Sequence, residues 1–162
     1  MVAVERTSDQ LEVETVTVTE VAVPRTERNR ISTSYATLPN AHHALVEVGA
    51  GGLTGVGEAP AERWWTGEDA ASVRNAVERY LAPAVVGRPL AIRAAGHAMN
   101  RALAANRYAK AAIEMALWDL LGKAAGLPLA TLLGGDPCRP TPVKYVIGTR
   151  PQRQEDLFVR RG

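Results

Sequence analysis

Apolar and polar residues alternate with a period of two in the first third of the chain. Residues 11–23 read LEVETVTVTEVAV, a run dominated by β-branched side chains, and predict a strand that Pro24 ends. Residues 43–48 and 53–58 predict two further strands. The residues between them, 49–52, are Gly-Ala-Gly-Gly and predict a turn that can adopt positive φ. This part of the chain is therefore predicted to form a small antiparallel meander.

After residue 65 the apolar residues recur at helical spacing instead. Thr66 is the predicted N-cap of a first helix. Glu68 and Asp69 are acids in its predicted first turn, where their negative charge interacts favourably with the helix dipole. Apolar residues at positions 73, 77 and 81 form the stripe of this helix, and Gly87 ends it. Pro89 suits the first position of a second helix, whose stripe continues to residue 103.

A third helix is predicted over residues 108–125. It is apolar on several faces, which predicts burial on most sides, and Gly126 is its predicted left-handed cap. A short helical turn follows at 129–133, and residues 143–147 predict one more strand after a proline-rich connection. The tail 148–162 is polar and has no clear pattern. The order of elements predicts an α+β fold, with a three-stranded antiparallel meander followed by a three-helix bundle that covers it.

Composition narrows the class of protein. The chain has 162 residues, of which 46% are apolar, enough for one domain with a real core. The net charge of +2 is too balanced to predict a nucleic-acid or membrane partner, and no apolar run approaches the length of a membrane span. The acidic N-terminus predicts no signal peptide, and the single cysteine, Cys138, excludes an internal disulfide, so we expect a reducing cytoplasm.

The sequence carries few motifs of known chemistry. The glycine-rich run 49–57 does not have G-x-G-x-x-G spacing and no helix follows it directly, so a hairpin turn is the favoured interpretation over a nucleotide site. His42 and His43 are adjacent in a predicted strand and therefore point to opposite faces, which predicts one exposed and one half-buried histidine rather than a metal pair.

Trp64 and Trp65 are two large rings in a predicted loop, where exposure is costly. They either cap the core between sheet and helices or line an apolar pocket or interface, and the sequence leaves both alternatives open. Glu58 ends a predicted strand beside this loop, where we interpret it as a structural hydrogen-bond acceptor rather than a catalytic acid.

Two stretches together resemble one known family. They are residues 52–58, GLTGVGE, and residues 109–135, AKAAIEMALWDLLGKAAGLPLATLLGG. Both are similar to the mandelate racemase/muconate lactonizing branch of the enolase superfamily, and Val56 departs from the family at a position where an aromatic residue is common. The resemblance implies that residues 11–136 form an enolase-like N-terminal capping domain. It also implies that 137–162 hold the first strand of an absent TIM barrel, at 143–147, and an irregular tail.

In that family the barrel carries the chemistry. The resemblance implies a Mg²⁺ ion held by three carboxylates, and barrel lysines that abstract the proton α to a substrate carboxylate. A whole barrel needs on the order of 250 residues, and only 20 follow Pro142. The lysines are Lys110, Lys123 and Lys144, and we expect the first two to face solvent or to pair with Glu114 and Asp119. We therefore expect no catalytic residue, no metal ligand and no cofactor in this chain, and Mg²⁺ in a complete enzyme.

The resemblance does imply a role in substrate selection. Two capping-domain loops close over the substrate in the family, and they match residues 25–34 and 59–67 here. The aromatic pair suits an apolar substrate body, and arginines suit a carboxylate. The residues that we predict to contact substrate are Arg28, Arg30, Ile31, Trp64 and Trp65.

Three hypotheses follow. The favoured one is a substrate-specificity lid of a muconate cycloisomerase, racemase or epimerase type of enzyme, truncated and inactive alone, with a small carboxylate as substrate only when a barrel is present. The second is a stand-alone binding or interaction module that pairs with itself or with a separate barrel chain. The third is an enzyme with its own site around Glu58, His43 and the tryptophans. A lone barrel strand and an uncovered apolar face predict self-association or a homo-oligomer, and an interrupted gene is one expected origin of the chain.

Overall fold

The computed structural model describes residues 11–26, 31–32, 37–60, 62–136 and 138–143. It confirms the predicted α+β fold, with the strands first and the helices after them. The strands are β1 (Thr15–Pro24), β2 (Ile31–Ser32), β3 (Thr37–Leu38), β4 (Asn40–Ala50) and β5 (Leu53–Ala59). The helices are α1 (Arg63–Thr66), α2 (Ala70–Ala76), a π-helical turn (Val77–Leu81), α3 (Ala82–Val85), α4 (Ile92–Ala102), α5 (Arg107–Ala125) and α6 (Leu129–Leu132).

Three strands form one antiparallel sheet in the order β1-β4-β5, as the meander predicts. The register pairs Val18 with Val46 and Val46 with Gly57 across the three strands. The two-residue strands β2 and β3 pair with each other within the connection from β1 to β4. The central strand β4 begins at Asn40, earlier than the predicted residue 43, because its first residues pair with the far end of β1.

The first strand begins later than predicted. Residues 11–14 leave the sheet and run against the loop that follows α3, where the Val13 N–H donates to the Arg88 carbonyl at 2.9 Å. Glu12 forms an isolated bridge with Pro89. Pro89 is therefore not the first residue of the second helix, which begins at Ile92 after Ala91 as N-cap. The backbone hydrogen bonds between these two segments take the place of the bonds that a longer strand and a longer helix would have formed.

The prediction that Thr66 caps the first long helix is also wrong. Thr66 ends the single turn α1, and α2 begins at Ala70 with Asp69 as its N-cap. The Asp69 carboxylate accepts from the Ser72 N–H, while the Asp69 N–H donates to the Ser72 hydroxyl, both at 2.8 Å, which forms a capping box. The helix then widens into the π-helical turn just before Pro83, whose ring would meet the carbonyl of Arg79 in a regular α-helix.

One face of the sheet packs on the helices and forms the core. Val46 and Val48 of β4 are fully buried, as are Leu117 and Leu120 of α5. Helix α5 matches its predicted range closely, and Gly126 caps it in the left-handed region with φ 63°. Met115 is 44% exposed, so α5 faces solvent along one stripe and is less enclosed than predicted.

The glycines of β5 permit a very close approach of α5. A Cβ placed on Gly57 would lie 1.9 Å from the carbonyl oxygen of Ala112, and one on Gly55 would lie 2.1 Å from that of Ala116. No real side chain fits at such distances, so the backbone of the helix rests directly on the backbone of the strand. This explains the glycine-rich run without any nucleotide.

Part of the predicted C-terminal structure lies outside the described residues. Only Val143 of the predicted strand 143–147 is described, and the predicted tail lies wholly outside. Among the helices of the described ranges, none combines the length and the apolar character that a membrane span requires.

Candidate functional site

A cleft of about 430 Å³ lies between the sheet and the first helical turns. Asn40 and His42 of β4 and Glu20 of β1 form its floor, and Trp64 forms part of its wall. The strand register places Glu20 and His42 on the same face as the buried Ala44. The cleft is therefore the continuation of the core face, at the end of the sheet that the long helices leave uncovered.

The two tryptophans lie on the single turn α1. Trp64 is 61% exposed and Trp65 is 88% exposed, which rules out the interpretation that they cap the core. The guanidinium of Arg63 lies 4.3 Å from the centre of the Trp64 ring, a cation–π contact. Gly67 closes the turn in the left-handed region, with φ 78°. The chain thus presents two large exposed aromatic rings on one turn, which is a feature of binding surfaces, and of the two only Trp64 lines the cleft.

Two acids of the cleft are already engaged within the protein. Glu20 forms an ion pair with Arg74 of α2 at 2.9 Å. Asp69 caps α2, and the hydrogen bond that it accepts from the Ser72 backbone N–H lowers the pKa of its carboxyl, so it stays ionised. The rest of the lining includes a third acid, Glu62, together with the Trp64 ring and apolar side chains. Its other polar groups are the guanidinium of Arg63, the amide of Asn40 and the imidazole of His42. Such a set can bind and orient a small polar organic molecule.

The sequence predicted Trp64 for this site but gave no role to His42 or Asn40. Both lie near the start of β4, and only the pairing of Asn40 with Pro24 and of His42 with Ala22 brings them beside α1 and α2. Arg28 and Arg30 lie outside the described residues, and for Ile31 only the backbone is described, in β2. Their predicted contacts with substrate therefore stay predictions.

His43 and Glu58 lie on the other face of the sheet. His42 is exposed and His43 is half-buried, as predicted, and the His43 Nδ1 lies within ion-pair distance of the Glu58 Oε1, although the contact is not aligned as a hydrogen bond. Adjacent strand residues point to opposite faces, so this pair is separated by the sheet from His42 and the cleft. The structure does not unite His43, Glu58 and Trp64 in one site, as the third hypothesis requires.

The described residues do not fit a metal centre. Across the described ranges, no three side chains of His, Cys, Asp or Glu come together in a way that would hold a metal ion. The two described lysines are held by neighbouring groups. Lys123 donates to Asp119 at 2.7 Å, the predicted i,i+4 pair. Lys110 donates to Asn100 at 3.0 Å and does not pair with Glu114, which is one of the two alternatives predicted for it.

The sequence profile of the mandelate racemase / muconate lactonizing enzyme N-terminal domain matches residues 15–134. The chain belongs to this family, and its described part has the fold of the enolase-superfamily N-terminal domain. Chloromuconate cycloisomerase from Pseudomonas putida is 34% identical over 152 residues, which cover 92% of this chain and 40% of that protein. L-Ala-D/L-Glu epimerase from Bacillus subtilis is 38% identical over 117 residues, 71% of this chain and 31% of its own.

Solved structures agree with these relatives. The muconate lactonizing enzyme from Pseudomonas fluorescens, complexed with muconolactone, superposes with a TM-score of 0.72 at 28% identity, over 76% of this chain and 34% of its own. A mandelate racemase/muconate lactonizing enzyme homologue from Roseovarius nubinhibens superposes with a TM-score of 0.80 at 27% identity, over 92% of this chain and 41% of its own. The chain spans about 40% of the length of the first curated relatives that it matches.

Proposed function

We propose that this domain is the substrate-specificity lid of an enolase-superfamily enzyme of the muconate cycloisomerase, racemase or epimerase type. The observation that carries the proposal is the cleft beside Trp64, in a chain that belongs to the mandelate racemase/muconate lactonizing enzyme N-terminal domain family. Glu62, Arg63 and Trp64 of the cleft lining belong to residues 59–67, one of the two segments that the family resemblance implies as substrate loops. The ligand is a small carboxylate.

The described residues of the lid would not supply the reacting groups. Both described lysines have structural partners, and the described acids form no metal cluster. These residues would therefore take no part in binding Mg²⁺. In a complete enzyme a bound Mg²⁺ would supply stabilisation of negative charge on the substrate carboxylate, and a barrel part would provide its ligands and the base. By itself the chain would be inactive.

The lid would act on affinity rather than on the chemical step. An exposed indole can cover the apolar body of a substrate, and removing that contact weakens binding of the ground state and of the transition state alike. The predicted partners of the substrate carboxylate are Arg28 and Arg30 in the other loop. Selection would thus combine an aromatic surface with a cationic one.

A domain exchange tests the proposal. Residues 15–134 replace the matching segment of the Pseudomonas putida chloromuconate cycloisomerase, and kcat and KM are measured with muconate and chloromuconate. A changed ratio of kcat/KM for the two substrates, with kcat largely retained, supports a specificity lid. An unchanged ratio contradicts it. Turnover of either compound with Mg²⁺ by the chain alone would place the reacting groups in this domain and would also contradict the proposal.

A second function, self-association, is favoured by a different surface. Leu127, Leu129 and Leu133 are 46%, 41% and 61% exposed, and the first two border a groove of about 440 Å³ with Trp118. An apolar surface of this kind suits a protein partner, either a barrel or a second copy. Sedimentation of the wild type and of Leu133→Ser, with Leu53→Ser as control, tests the second copy. A monomer at every concentration rejects it.

A further inference from the structure

Glu68 is a buried acid that the lid cleft itself does not use. Its residue is only 8% exposed, and it is the one charged residue in the buried core of the described ranges. Its two carboxylate oxygens accept hydrogen bonds from the backbone N–H groups of Tyr108, at 3.1 Å, and Ala109, at 3.3 Å. Both N–H groups belong to the first turn of α5. Glu68, which lies in the loop between α1 and α2, therefore caps a helix that is distant in sequence.

Helix α5 needs this distant cap because its own N-terminus has none. Asn106 occupies the N-cap position in the left-handed region, with φ 49°, and makes no capping hydrogen bond. Its side chain donates instead to the Ala104 carbonyl at 2.9 Å. The Glu68 carboxylate therefore satisfies two first-turn donors, and its charge lies at the positive end of a helix of 19 residues.

The same contact ends the segment that carries the tryptophans. On one side that segment leaves the sheet at Ala59, which is fully buried and pairs with Ala44. On the other side it reaches Glu68. The turn α1 between them has no buried residue, so side-chain packing does not hold it. The Thr66 hydroxyl accepts from the Glu68 N–H at 3.4 Å, which connects the turn to the buried acid.

We infer that Glu68 is a positioning residue, which fixes the Trp64–Trp65 turn at the rim of the cleft by binding the N-terminus of α5. Helix α5 packs directly on the sheet at Gly55 and Gly57, so a turn that is bonded to its N-terminus is held in place relative to the sheet. Removing the Glu68 carboxylate loosens this end of the turn, which is then held only through Asp69 at the start of α2, while the other end stays in β5. That Glu68 holds the turn does not depend on the proposed function. Only the consequence, that the tryptophan rings are placed against a substrate, rests on it.

The experiment is fluorine NMR of the full chain labelled with 5-fluorotryptophan. Trp64→Phe, Trp65→Phe and Trp118→Phe variants assign the three signals. In Glu68→Gln we expect the Trp64 and Trp65 signals to shift or broaden, since the amide loses the charge and one acceptor, while the Trp118 signal is unchanged. The matched control is Gly126→Ala, which strains the opposite end of the same helix. It should lower the Tm and leave Trp64 and Trp65 unchanged.

If Glu68→Gln does not fold, the same spectra are recorded for Glu68→Asp, which keeps the charge but is shorter by one methylene. Shifted Trp64 and Trp65 signals in either variant support the inference. Unchanged signals at a lowered Tm overturn it, since Glu68 would then only stabilise α5. Failure of both variants to fold also overturns it, because Glu68 would be required by the whole domain. The domain exchange tests the proposed function by measuring substrate preference, whereas the NMR experiment tests the position of the turn. Failure of the one proposal can therefore be told apart from failure of the other.

Discussion

The carboxylate of Asp119 on α5 accepts a hydrogen bond from the backbone N–H of Val56 at 2.8 Å. Strand β5 is an edge of the sheet, and this N–H points away from its only partner strand. Lys123, one turn further along α5, donates to the Thr54 carbonyl at 2.8 Å and to Asp119 at 2.7 Å. Two side chains of one helix thus satisfy the free edge of β5, which otherwise offers a template for pairing with another chain.

We expect Asp119→Asn to lower the free energy of unfolding by about 1 kcal/mol, because a charge-assisted hydrogen bond at a partly exposed site is lost. Burial raises the pKa of Asp119, but the hydrogen bonds from Lys123 and Val56 outweigh it, so the pKa lies below its ordinary value. The stabilisation is therefore present above the unfolded pKa, near 4, and disappears as the pH falls through the lower folded value.

Urea unfolding of wild type and Asp119→Asn at a series of pH values measures this dependence. The difference between the two proteins should be constant near neutrality and should shrink below roughly pH 4. Glu114→Gln, an exposed acid on the same helix, is the control and should change little. A difference that persists undiminished at pH 2 would show that the charge of Asp119 is irrelevant.

We expect Gly57→Ala to lower the free energy of unfolding by about 4 kcal/mol or more, since the new methyl group would collide with the Ala112 carbonyl. The control is Gly96→Ala in α4, where no atom lies within 4 Å of an added Cβ. That change should stabilise the helix by about 0.5–1 kcal/mol. Thermal unfolding of both variants checks the pair, and two shifts of the same sign would contradict this account of the strand–helix contact.

Ala105 is a non-glycine residue in the left-handed region, with φ 52°, next to Asn106. A left-handed alanine costs roughly 1–2 kcal/mol, so Ala105→Gly should raise the stability by about 0.5–1 kcal/mol after the greater freedom of the unfolded glycine is counted. Ala111→Gly, at an exposed position within α5, should instead destabilise by about 1 kcal/mol. Equal losses in the two variants would show that the backbone at Ala105 is not strained.

Replacing Trp64 and Trp65 by Ala should leave the Tm of the isolated chain nearly unchanged, because neither ring is buried. In the chimaera with a barrel the same change should raise KM, by about tenfold for a contact worth about 1.4 kcal/mol, with little effect on kcat. Tyr80→Ala, an exposed aromatic residue on the π-helical turn, is the control. A loss of kcat at constant KM would assign the rings a role other than binding.

The family, the α+β order, the meander and helix α5 could all be predicted from the sequence, because these depend on local periodicity and on signatures within a few residues. It also predicted that His42 and His43 point to opposite faces, since strand geometry alone dictates that. The backbone partners of Glu68, the contact of Asp119 with Val56 and the contact of Lys110 with Asn100 become visible only in the folded chain. Each of these side chains bonds to a group that is distant in sequence or on another element, and no local pattern encodes such a pairing. The cleft likewise exists only because strand register brings His42 beside the turn that bears Trp64.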